Sequence, residues 1–120
     1  MKRILSLSII AILSVVLSSC SGQSTKVKPC KEPSKCYQLG LEKFSTLNKS
    51  KSPQEASAIF QEAALLFQTG CDLQSAESCF ELARYHKAQH NIGVSLALFN
   101  QACQLGHKKA CNQALQEKNK

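Results

Sequence analysis

The residues best equipped for chemistry in this chain are its seven cysteines. Four of them form two equal pairs. Cys71 and Cys79 enclose seven residues in CDLQSAESC, and 32 residues further on Cys103 and Cys111 enclose seven in CQLGHKKAC. Thiols held at a fixed spacing can bind a metal, exchange electrons, attack a substrate or close a disulfide. Structural zinc sites draw on C-x2-4-C or on histidines at short spacing, and dithiol redox centres on C-x-x-C. Seven intervening residues fit neither, so no metal or other cofactor is expected. Disulfides need an oxidising compartment, which makes the N-terminus decisive.

Other groups that could do chemistry are few. His86 and His90 stand four residues apart, a spacing that would put two ligands on one helical face. No H-E-x-x-H accompanies them, and they are expected to face solvent. His107 follows Gly106 in a turn, where hydrogen bonding at a helix end is enough to occupy it. A serine β-lactamase needs Ser-x-x-Lys with Ser-Asp-Asn and Lys-Thr-Gly. The nearest approach, TLNK at residues 46–49, has no such partners. No catalytic residues are assigned.

The chain opens MKRILSLSIIAILSVVLSSC. Lys2 and Arg3 precede an apolar stretch over residues 4–17, which has the form of a secretory signal and is short for a transmembrane helix. Leu17-Ser18-Ser19-Cys20 resembles the lipobox of bacterial lipoproteins. That resemblance implies cleavage before Cys20, acylation of Cys20, and a stable anchor made of several acyl chains. Ser21, a non-acidic residue after the lipid site, implies an outer-membrane location, facing either the periplasm or the surface. Residues 1–19 are therefore expected to be the signal peptide and 20–33 a lipid-anchored tether. The tether's SGQSTKVKPCKEP is polar, carries two prolines and has no periodicity.

From Cys20 onward thirteen basic residues face eight acidic ones, a net charge of +5. The excess lies at residues 26–51, next to the expected anchor, where it favours anionic lipid or solubility. Nucleic acid is excluded as a partner, because arginine is limited to Arg3 and Arg84 and the expected compartment is the cell envelope. About one hundred residues remain, enough for one small domain without tryptophan. Such a core is marginal unaided.

The elements expected to position the cysteines are five helices. The first covers residues 34–47, with Cys36, Leu39, Gly40, Phe44 and Leu47 at helical spacing. Ser52-Pro53-Gln54-Glu55 forms a capping-box pattern opening a second helix that stops at Gly70. Its apolar face carries Ala56, Ile59, Phe60, Ala63, Leu66 and Phe67. A third helix covers 75–89 with Cys79, Leu82 and Ala83 inward and Tyr85 a candidate for the same face. A fourth starts near Asn91, presents Val94, Leu98, Phe99 and Ala102, and ends at Gly106. A fifth covers 107–117. No segment alternates as a strand would.

Aligning Cys71 with Cys103 lays AALLFQTGCDLQSAESC over SLALFNQACQLGHKKAC, matching Leu66/Leu98, Phe67/Phe99, Leu73/Leu105 and Cys79/Cys111. Two helices in a period of 32–36 residues signal a helical solenoid, whose hairpins bury their apolar faces on one another. F-x-x-A/G-C-x-L-x5-C followed by L-G or L-A resembles Sel1-like repeats, and among these the cysteine-rich secreted branch, the Helicobacter cysteine-rich proteins. The likeness covers residues 36–115. Ala83 replaces a glycine of that pattern, and the stretch from Cys79 to Cys103 is about four residues shorter than its usual spacing.

The resemblance implies a short all-α solenoid over residues 34–120, of about two repeats and part of a third. In that branch the C-x7-C pair joins the second helix of one repeat to the first of the next. Cys20 aside, six cysteines allow fifteen pairings. The repeat favours Cys71–Cys79, Cys103–Cys111 and, as the remaining neighbours, Cys30–Cys36. The implied function is a binding adaptor or scaffold in the envelope, docking a protein, a peptide or a cell-wall fragment. Some cysteine-rich relatives carry a penicillin-binding or β-lactamase label, which supplies the enzymatic alternative. A purely structural surface lipoprotein is the third.

Overall fold

A computed structural model describes residues 30–120. The signal peptide, the lipid site at Cys20 and the tether up to residue 29 lie outside the described residues. The architecture is all-α. Five helices follow in order: α1 (Pro33–Ser45), α2 (Pro53–Asp72), α3 (Ala76–Ala88), α4 (Ile92–Gln104) and α5 (Lys108–Lys118). A short 3-10 turn (Thr46–Lys49) follows α1. Each helix packs on the next in sequence, and α1 also reaches α3.

Side chains cap the starts of α2, α3 and α5. Ser52 caps α2, its Oγ accepting from the Glu55 N–H at 3.1 Å. Glu55 Oε2 accepts in return from the Lys51 N–H, one residue earlier than the usual reciprocal bond. Ser75 caps α3 by accepting from the Ser78 N–H. His107 caps α5 through Nδ1, which accepts from the Ala110 N–H at 3.2 Å.

Helix ends follow one rule three times. After α2, Gln74 N–H donates to Cys71 O and Ser75 N–H to Gly70 O; after α3, His90 to Lys87 O and Asn91 to His86 O; after α4, Gly106 to Cys103 O and His107 to Ala102 O. This is the Schellman pattern, with a left-handed residue just past the C-cap. The left-handed residues are Gln74 (φ 68°), His90 (φ 60°) and Gly106 (φ 98°), spaced sixteen apart. The next residue in each case, Ser75, Asn91 or His107, is already the N-cap of the following helix. The stretch from Cys79 to Cys103 is short because α3 and α4 have 13 residues each and no loop beyond this turn joins them.

Four expectations need correction. Gly70 does not stop α2, which continues to Asp72. The glycine instead lets α3 approach, since a Cβ there would stand 2.8 Å from Ser78 Cβ and 3.1 Å from Cys36 Cβ. Val94, expected inside, is 49% exposed, because α4 turns Ser95, Phe99 and Ala102 to the core instead. Phe44 and Phe60, placed on apolar faces, are also exposed; they pack edge-to-face on each other at 5.1 Å. His86 and His90 are not a helical pair, because α3 ends at Ala88 and His90 is left-handed.

The core holds few large side chains. Phe67, Leu82 and Phe99 are buried with Ala63, Ala83, Ala102, Ala110 and Ala114. Alanine at the contacts allows close approach but removes little apolar area from water. Ser95 adds a buried bond across the α3–α4 pair, its Oγ donating to Ala83 O at 2.9 Å.

Candidate functional site

Among the described cysteines the structure contains three disulfides. Cys71–Cys79 joins the end of α2 to α3 with Cα atoms 4.5 Å apart, and Cys103–Cys111 joins α4 to α5 at 4.6 Å. Cys30–Cys36 ties the start of the described chain to α1 at 5.3 Å. Both eight-residue links span a Schellman turn, and the turn brings the two thiols together. Cys36, Cys71 and Cys79 are buried, whereas Cys103 and Cys111 are half-buried. Bonded in this way, all six sulfurs are withdrawn from nucleophilic or metal chemistry.

The histidines differ in how they are held. The His107 ring stacks on Phe80 with centroids 4.2 Å apart and an 18° tilt, while its Nδ1 caps α5. His86 is half-buried and edge-on to Tyr85, with Nδ1 buried and unpartnered among the described residues. The sequence had placed it facing solvent. Thr46–Lys49 forms the 3-10 turn, where the Thr46 hydroxyl donates to Lys43 O.

What the structure adds is a groove that sequence reasoning did not identify. A cavity of about 260 Å³ opens between α1, α2 and α3. Phe44 and Phe60 form its mouth, Phe67 with Ala63 and Ala64 its floor, and Tyr85 its far wall. A second cavity of about 340 Å³ lies between α3, α4 and α5, floored by Phe80 and Phe99 and edged by Lys87 and Gln113. Arg84 and Ala88 line both. They sit one turn apart on α3 and form the ridge between the two. The periodicity of each helix identifies its apolar face. It does not say which of those residues a neighbouring helix leaves uncovered, so Phe44 and Phe60 read as core.

Charge in the groove is ordered by short pairs. Arg84 is held by Glu81 on its own helix at 3.0 Å, with its side chain 62% exposed. Lys87 reaches across to α5, where it meets Glu117 at 2.6 Å and Gln113 Oε1 at 3.3 Å. The Lys87 hydrogen bond holds the Glu117 carboxyl below the usual carboxylate range, against the opposing effect of desolvation. On α1, burial first and the nearby Glu81 and Glu77 charges second push the Tyr37 hydroxyl above its ordinary value. Among the described residues no helix is long and apolar enough to cross a membrane.

Comparison with family models, with curated proteins and with solved structures finds no match to this chain.

Proposed function

We propose that this protein is a lipid-anchored binding adaptor of the bacterial envelope, built on Sel1-like hairpins, that takes a segment of a protein or peptide into its groove. The observation that carries the reading is the row of two apolar-floored cavities sharing the Arg84–Ala88 ridge. Ligand sites are concave and mostly apolar, with a few polar groups to fix orientation. The 32-residue repeat and the turns spaced at sixteen support the solenoid part of the reading. The lipobox resemblance supports the anchor. The apolar floors of the groove suit it to holding a segment of another chain.

The test is photo-crosslinking in cells from a residue at the groove mouth, Phe44, compared with Gln54 at the start of α2, outside it. A defined protein adduct from position 44 that is absent from position 54 is the expected result. Equal labelling from both positions, or none, would overturn the proposal. Turnover of a chromogenic β-lactam by the purified oxidised protein would favour the enzymatic alternative.

A further inference from the structure

The two cavities differ in charge, and the difference selects a ligand. The first is walled by aromatic rings, with Glu81 and Arg84 at its edge. The second is edged by two cations, Arg84 and Lys87, and no carboxylate lines it. Lys87 is already committed to Glu117 and Gln113 across the α3–α5 gap. Arg84 is not committed in the same way. Its one partner among the described residues, Glu81, lies three residues away on the same helix, and the arginine side chain is 62% exposed; pairs open to solvent on one side contribute about 0–1 kcal/mol. A ligand carboxylate can therefore take the guanidinium at little cost.

Arg84 is also the only arginine among the described residues, against ten lysines. Its planar fork suits bidentate recognition of a carboxylate, which a lysine ammonium does not provide. The Arg84–Ala88 ridge divides the space into about 260 and 340 Å³, an arrangement that suits successive side chains of an extended chain.

We infer that the groove binds an extended acidic peptide, with one large apolar side chain in the Phe44–Phe60–Phe67 cavity and an adjacent aspartate or glutamate held by Arg84 over the second. This inference rests on the peptide-binding reading and specifies its ligand.

The experiment is selection of displayed random linear heptapeptides on the full oxidised chain in detergent. Enriched peptides should pair a large apolar residue with an acidic one within three positions. A fluorescein-labelled peptide of that type should bind Arg84→Gln about tenfold more weakly, the loss expected for one charge-assisted contact. The variant should keep the parent's helical circular dichroism, since the side chain is exposed. Phe44→Ala should abolish the apolar preference and keep the acidic one. Enriched peptides lacking acids, or an acidic preference unchanged in Arg84→Gln, would overturn the inference while leaving the peptide-binding reading in place. No enrichment of any peptide would overturn both.

Discussion

Gly70 and Ser78 face each other where α2 meets α3, and the Cys36 side chain closes the same gap from α1. Three helices meet at one point with no room for a methyl group. Gly70→Ala is expected to destabilise the protein by about 1–3 kcal/mol, the usual cost of overpacking, measured by urea unfolding of the oxidised chain. Ser78 is fully buried with its hydroxyl unpartnered. Removing a buried polar group that has no partner costs little, so Ser78→Ala should be neutral or slightly stabilising in the same assay. A loss above about 2 kcal/mol for Ser78→Ala would mean the hydroxyl is bonded. The sequence displayed the cysteines plainly. It was misleading at Gly70, because a glycine near a helix end has the same one-letter signature whether it turns the chain or admits a neighbour.

At the scale of the element, three helices end alike but only one does so with the residue best suited to it. Gly106 takes a left-handed φ without strain, whereas Gln74 and His90 carry a Cβ into that region. Gln74→Gly and His90→Gly should each stabilise by about 0.5–1 kcal/mol, and Gly106→Ala should destabilise by a similar amount, read as shifts in thermal midpoint. The start of α2 was legible, because Ser52 is a strong capping residue placed before apolar periodicity. Helix-end bonding by His107 was expected too; its action as the N-cap of α5, through a ring held by Phe80, was not, since histidine carries no such propensity.

The last helix has its own dependence on acid. Glu117 is nearly buried and bonded to Lys87, and its folded-state pKa lies below the unfolded value. The contribution of that pair is therefore present above the unfolded carboxylate range, about pH 4.3, and is lost as pH falls through the lower folded value. Glu117→Gln should lower the thermal midpoint at pH 7 and make progressively less difference as the pH is taken below 4.

For the whole molecule the balance is between a thin core and its cross-links. The largest fully buried side chains are Phe99 and Leu82, and most of the remaining core is alanine and cystine. In the chain-entropy account each eight-residue bridge contributes about 2.5 kcal/mol, so two of them approach the net stability of a small domain. The bridges are not equally guarded. Mild reductant followed by alkylation and peptide mapping should label Cys103 and Cys111 before Cys71 and Cys79, since only the former pair is accessible. The all-α class and the five helices could be read from periodicity alone. The groove could not, because it is defined by what neighbouring helices fail to cover, and that depends on crossing geometry that no single helix encodes.

The shared residue between one helix's end and the next one's start has a consequence for proteolysis. A protease must draw several residues into an extended strand, and the turns at Gln74, His90 and Gly106 have none to spare. The one longer connection among residues 33–118 runs from Thr46 to Ser52, and it carries exposed Lys49 and Lys51. Limited trypsin digestion of the oxidised protein should therefore cut first there or in the flanking ends, leaving the segment from α2 to α5 as one resistant fragment. Early cuts at Lys87 or Lys108 would mean that the turns open on their own.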